Sequence, residues 1–391
     1  MSADSSADLA AAATSHLERL IAFDTTSRDS NLALIRYVEA FLGEHGVASR
    51  RVSNPEGTKA NLYATVGPSV PGGVILSGHT DVVPVDGQHW ASDPFALTRR
   101  GERLYGRGTC DMKGFIALAL ASVPALVRRG TTRPIHLALS YDEEVGCLGA
   151  PSMIRELVVE LPAPEAVIVG EPTNMEVVSG HKGISTWRVT VTGHEAHSSL
   201  THLGISANMV AVGLMNQLLE LAQRLERHAD PASHFHPPHA TVTIGQINGG
   251  TAVNILAREC MFVFDLRAPP GQDPEAIIAP FLEACGTTDT ALKRIFPDAG
   301  VIVVRRSATP SFASEPGGDA ERLARRLAGD NGPTRAVSYA AEAGQFQGAG
   351  FSTIICGPGS IEQAHQPDEF LEVAQLERGA AFMARLHDAV R

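Results

Sequence analysis

Short, mainly apolar runs at Val74–Leu76, Ile135–Leu139 and Val167–Val169 read as strands buried on both faces, the pattern of a parallel sheet. Around them, residues 8–23 and 31–45 carry apolar positions at three- and four-residue spacing, which predicts helices. Met112–Val127 and Gly149–Val159 read the same way. Strands alternating with helices predict an α/β layered domain with a mainly parallel or mixed sheet.

The pattern changes after residue 180. Ile184 to Thr192 alternates apolar and polar positions, as a strand with one exposed face does. A helix follows at 204–226, then a polar His/Pro loop at 228–239 and strands at 240–247 and 258–267. A helix at 274–285 and a strand at 301–305 complete a β-α-β-β-α-β order, the ferredoxin-like α+β unit. Past Ser307-Ala308-Thr309-Pro310 the first style resumes, with a helix at 318–328, a strand at 352–356 and a helix at 370–390. The expected organisation is therefore a discontinuous catalytic domain, 1–179 and 308–391, interrupted by a lid at 180–307.

Composition narrows the class. A net charge of −11 and the absence of any basic cluster argue against a nucleic-acid partner. Met1 to Thr14 lacks a basic segment before an apolar core, so it does not read as a secretory signal. No uninterrupted apolar run approaches the ~20 residues that span a bilayer. Five scattered cysteines, Cys110, Cys147, Cys260, Cys285 and Cys356, form no CxxC pair and read as free thiols. A cytoplasmic chain with no membrane partner is the expectation.

Chemistry collects where the apolar runs end. His79 and Asp81 close the first, Asp142-Glu143-Glu144 the second and Glu171 the third, while Asp111 lies between Gly106-Arg107-Gly108 and Lys113-Gly114. In an open α/β sheet the carboxyl ends of the parallel strands share one edge, where ligands bind. Singly, these residues have plainer readings: a turn histidine, a helix N-cap for Asp111, a solvated acidic turn, a turn acid before Pro172. Together, His79, His365, Asp111, Glu144 and Glu171 suit a pair of divalent ions, with one carboxylate bridging and one His and one Glu on each. Nitrogen and oxygen ligands favour zinc, with cobalt or manganese as alternatives. Neighbouring residues in extended chain face opposite ways, so Glu143 can accept a proton while Glu144 holds metal. Asp81 is placed to hydrogen-bond one ring nitrogen of His79. The Gly357-Pro358-Gly359 lead to His365 can present backbone N–H groups, from Gly357 and Gly359, to an anion.

The segments Ser77–Pro84, Gly106–Gly114, Asp142–Gly146 and Gly170–Thr173 resemble, in order and over essentially the whole chain, the M20 metallopeptidase family. That resemblance implies that Asp111 bridges two zinc ions, that His79 and Glu171 complete one site, and that Glu144 and His365 complete the other. Glu143 becomes the general base and then acid, Asp81 supports His79, and a cis peptide follows Asp111. In the lid, Gly193–Ser199 resembles the segment carrying the family's oxyanion-stabilising histidine, here His197, which acts across a homodimer. Asn254 and Arg267 match positions that bind the substrate carboxylate. The implied activity is hydrolysis of a small N-acyl amino acid, N2-acetyl-L-ornithine ahead of succinyl-diaminopimelate, a general N-acyl amino acid or a dipeptide, in arginine biosynthesis. A metal-binding paralogue without catalysis is the rival of another class.

Overall fold

The computed structural model describes residues 5–391, so the part of the N-terminal reading over residues 1–4 lies outside it. Two compact units emerge. The first comprises the chain up to Ser179, Ser314–Arg335 and Ala341–Arg391; the second comprises Gly180–Ala313 and Ala336–Ala340.

Six strands of the first unit lie in the spatial order Ser49–Ser53, Ala60–Val66, Ile135–Ser140, Val74–His79, Ala166–Pro172 and Thr353–Gly357. The last four run parallel, with Val74 opposite Ile135 and Ala166, and Thr353 opposite Val167. The first two are antiparallel additions, which makes the sheet mixed. Every residue of Val74–His79, Ile135–Ser140, Ala166–Pro172 and Thr353–Gly357 is buried, which explains why these strands read as apolar runs without alternation.

Helices cover this sheet because each presents an apolar stripe. Ser6–Ile21 starts from a reciprocal Ser5–Asp8 cap and buries Leu9, Ala13, Leu17 and Leu20, the helical spacing of one face. It packs on Gly114–Arg129 and Val373–Ala389. The segment Thr109–Arg129 is long and apolar enough to cross a bilayer by length and composition, although Asp111 and Lys113 interrupt its apolar run. Within it 89% of the apolar window is buried inside the protein, as in the core helix of a soluble domain. The predicted helix at 370–390 begins late. Phe370–Glu372 pairs instead with Arg103–Tyr105, where the Phe370 and Tyr105 rings lie tilted against each other with centroids 5.6 Å apart. All five cysteines are free and buried.

The second unit is a four-stranded antiparallel sheet in the order Thr241–Gly249, Glu259–Ala268, Gly183–Thr192 and Gly300–Thr309. Helices Ala207–Arg227 and Pro274–Ile295 pack against it. The Gly183–Thr192 strand buries Trp187, Val189 and Val191 and exposes Arg188 on the opposite face. This is the ferredoxin-like order. Its second helix is nearly three turns longer than the sequence pattern suggested, because Leu292 continues the buried stripe of Ile278, Phe281 and Cys285. The Gly300–Thr309 strand likewise runs beyond 305, across a bulge between Arg305 and Ser307.

Candidate metal centre

Parallel strands deliver three acidic or imidazole groups to one edge. His79 ends its strand opposite Ser140, the Asp142–Glu144 turn follows Ser140, and Glu171 lies in the strand on the other side of His79. His365 arrives on the loop after Thr353–Gly357. Asp111 comes from the turn that opens helix Gly114–Arg129, where the Asp111–Met112 peptide is cis, as the resemblance implied.

Distances bring these groups into one cluster. His79 Nε2 lies 3.0 Å from Asp111 Oδ1 and 3.9 Å from Glu171 Oε1. His365 Nε2 lies 3.3 Å from Asp111 Oδ2 and 3.0 Å from Glu144 Oε2. The two oxygens of Asp111 thus face different imidazoles. His79, Glu143 and Glu171 form one set of donors within 4.8 Å of one another, and His79, Asp111 and Glu144 form a second. His365 is half exposed, whereas the other members are nearly sealed from solvent.

The charges identify what this arrangement can hold. His79 Nδ1 sits 2.9 Å from the Asp81 carbonyl oxygen, which only accepts, so Nδ1 carries the hydrogen. The Nε2 lone pair then points at carboxylate oxygens, a repulsive contact unless a proton or another cation lies between. Burial alone would push the His79 imidazole down. The Asp111 hydrogen bond and the fields of Glu143, Glu171 and Asp111 outweigh it and hold the pKa well above the usual value. Hydrogen bonds to Asp111 and Glu144 raise His365 to about 10. Burial and then the Asp111 charge raise Glu144 to about 7 and push Glu171 well up. Glu143 is raised by burial, with the Glu144 charge adding to it and His79 opposing it. Each direction says that the cluster wants more positive charge than its own side chains supply.

Two buried carboxylate oxygens, Glu144 Oε1 and Glu171 Oε1, have no hydrogen-bond partner. Orphaned acceptors of this kind cost free energy unless a ligand satisfies them. Oxygen and imidazole donors at this spacing fit divalent cations.

Some roles differ from the expected ones. Asp81 does not orient His79 through its carboxylate, whose Oδ1 is 3.7 Å from Nδ1; its backbone carbonyl does so. The carboxylate accepts instead from Ser27 Oγ (2.7 Å) and the amides of Glu143 (3.1 Å) and Glu144 (3.3 Å), fixing the acidic turn. Gly357 and Gly359 offer no free N–H to an anion: their amides donate to Thr173 Oγ1 (3.2 Å) and Gln375 Oε1 (3.4 Å). A Cβ on Gly357 would lie 2.0 Å from the Gly170 carbonyl oxygen, so this glycine serves close packing.

Sequence reasoning missed the residues that brace the ligands. Glu369 is buried and accepts from Arg107 Nη1 (2.7 Å) and from the amides of Gly108, Cys110 and Asp111 at 2.9–3.1 Å, clamping the Asp111 turn. Lys59 reaches Asp142 at 2.5 Å. The Cys147 thiol donates to Glu143 Oε1 at 3.2 Å. Arg107 stood in the Gly106-Arg107-Gly108 run before Asp111, whereas Lys59 and Cys147 carried no signal of this role.

His197, Asn254 and Arg267 belong to the second unit. His197 and Asn254 are exposed and adjacent: Ser198 N donates to Asn254 O at 2.9 Å, and His197 Nδ1 pairs with Ser199 Oγ at 2.8 Å. Arg267 lies on an inner strand, Glu259–Ala268, with Nε 3.4 Å from Asp265 Oδ2.

A mixed α/β sheet carrying paired imidazole–carboxylate donors, together with a ferredoxin-like unit, defines a chain of the dinuclear-metallohydrolase type. Residues 75–389 match the model of Peptidase family M20/M25/M40, and the chain belongs to that family. An acetylornithine deacetylase from Myxococcus xanthus is 37% identical over 377 residues, covering 94% of this chain and 95% of that protein. Among solved structures, the M20 family metallo-carboxypeptidase Sso-CP2 from Sulfolobus solfataricus superposes with a TM-score of 0.77 at 15% identity, over 96% of this chain and 98% of that one. The Bacillus subtilis YXEP protein, described as a dinuclear metal binding peptidase, does so at 0.65 with 14% identity, over 98% of each.

Proposed function

We propose that this chain is a metal-dependent amidohydrolase that removes the acetyl group from N2-acetyl-L-ornithine, giving L-ornithine and acetate. The observation that carries the reading is the split orientation of Asp111, one oxygen toward His79 and the other toward His365. Asp111 would bridge two divalent ions, with His79 and Glu171 on one and Glu144 and His365 on the other. Zinc is the first choice, cobalt or manganese the next. When bound, the ions would polarise the amide carbonyl and make water a nucleophile near neutral pH.

The side chains do the rest. Glu143 takes the proton of the attacking water and passes it to the departing amine. Its carboxylate is held for this by the Cys147 thiol and by the Asp81 brace on its backbone. Arg267 presents a planar fork suited to the substrate carboxylate, aided by Asn254. His197 donates to the developing oxyanion; removing such a donor typically costs ~3–4 kcal/mol. We assign the first unit as catalytic and the second as lid and dimerisation domain. His197 and Asn254 lie among the exposed apolar residues Leu200, Leu203, Val253 and Ile255, which supports a homodimer through the lid with His197 acting on the partner. A cytoplasmic role in arginine biosynthesis goes with this substrate.

Parallel steady-state assays on acetylornithine, succinyl-diaminopimelate and acetylmethionine, with metal content measured on the same protein, test the reading. The highest kcat/KM is expected on acetylornithine with two ions per chain. A preference for either other substrate moves the specificity within the family, and turnover undiminished by exhaustive chelation defeats the mechanism.

A further inference from the structure

Lys182 is almost completely buried in the second unit, which is unusual for a lysine. Its ammonium holds two backbone carbonyls of the His/Pro loop, Pro237 O and His239 O, each at 2.8 Å. The neighbouring carbonyl, His236 O, accepts from Ser338 Oγ at 2.6 Å, and Ser338 O in turn accepts from Arg267 Nη1 at 3.3 Å. Strand register brings the same parts together. Arg267 pairs with Ile184, two residues past Lys182, and with Thr241, two residues past the end of the loop.

We propose that Lys182 is a positioning residue for substrate recognition, holding the 228–239 loop and Ser338 so that the Arg267 guanidinium stays aimed at the substrate carboxylate. This rests on the assignment of Arg267 above. Burying an ammonium is costly, and here the cost is offset by two charged hydrogen bonds that turn a polar loop into a fixed frame. Burial, with the Arg267 charge adding to it, lowers the Lys182 pKa to about 8, so the group remains a cation at neutral pH. About a third of the Arg267 side-chain surface is accessible, and its fork is only partly engaged by Ser338 O and Asp265. Without the frame, Arg267 is free to settle fully onto Asp265, and a planar carboxylate partner is lost. The loop, with His234, His236 and His239, then has a use without binding metal: it is the support on which the anchor arginine rests.

The test compares N2-acetyl-L-ornithine with its carboxamide, which lacks the carboxylate, on full-length protein. Lys182→Met should raise KM for the acid about tenfold, with kcat nearly unchanged and the acid-over-amide preference reduced by a similar factor. Lys182→Arg should restore much of both. Ser338→Ala removes one link from a half-buried residue and should shift the preference in the same direction, which keeps the proposal testable if Lys182→Met fails to fold. Arg267→Met should abolish the preference. If Arg267→Met leaves it intact, the Arg267 assignment falls and this proposal with it. If Arg267→Met abolishes it while folded Lys182→Met and Ser338→Ala match the parent, the proposal alone falls. Equal losses on both substrates in Lys182→Met would also overturn it, since they signal general damage rather than a lost carboxylate contact.

Discussion

Replacing Glu369 by Gln removes one charge and no volume, yet it should unsettle the whole centre. Oε2 of Glu369 accepts from Arg107 Nη1 and Gly108 N, and Oε1 accepts from Cys110 N and Asp111 N. An amide has one oxygen, so in either orientation its NH2 faces two donors that need an acceptor. Arg107 is as buried as Glu369, and its Nε already lacks a partner. The amide oxygen should therefore stay with Arg107, leaving the Cys110 and Asp111 amides without one. Breaking a buried ion pair on one side costs about 3–5 kcal/mol. Loosening a group that braces a ligand typically weakens metal binding by about 10- to 100-fold. Urea unfolding with a chelator present isolates the first effect, and zinc titration calorimetry on folded protein reads the second. If Glu369→Gln unfolds within about 0.5 kcal/mol of the parent and binds zinc equally well, the clamp has been misread.

Other predictions follow from single contacts. Glu143→Gln should retain its metal while losing roughly 10²–10⁴-fold in kcat; metal analysis beside a turnover assay checks it, and near-normal activity removes Glu143 as the base. Cys147→Ala should lower kcat by roughly threefold to tenfold with metal content unchanged, whereas Cys147→Ser, which keeps a donor, should stay close to the parent. A serine variant as impaired as the alanine variant would point to packing instead. His136 is buried against Thr65 and burial lowers its pKa from 6.5 to about 4, so the unfolded chain takes up this proton first as pH falls. Its contribution is complete above pH 6.5 and is lost progressively toward pH 4, about 3 kcal/mol at most. Thermal midpoints across that window should fall less steeply in His136→Gln; parallel profiles would assign the acid sensitivity elsewhere.

The acidic edge of the sheet was legible because local patterning sets both where a strand runs and where it ends. A run buried on both faces must be apolar until it leaves the sheet, so His79, Asp142–Glu144 and Glu171 stand out as polar groups at the end of such runs. Other features were harder to read. The Ala60–Val66 strand carries Asn61 and Tyr63 among its buried residues, and Ser49–Ser53 is short and mostly polar, so neither presented a clear period. Phe370–Glu372 looked helical because only its pairing with Arg103–Tyr105 makes it a strand. The Asp81 carboxylate was assigned to the wrong partner, since two-residue spacing specifies a face and not which atom reaches the ring.

What the sequence determined alone was the alternation of elements, the interruption by a ferredoxin-like unit, and the set of groups able to meet at one sheet edge. Periodicity and strand ends are local properties, carried by residues a few positions apart. Tertiary structure decided which oxygen faces which imidazole and which buried residues hold them there. Glu369 lies 258 residues from the Asp111 amide it accepts from, and Lys59 lies 83 from Asp142. Hydrogen bonds and ion pairs act over about 3 Å in space, and nothing in the spacing of residues along the chain encodes a contact whose two halves meet only after the sheet and its helices have packed.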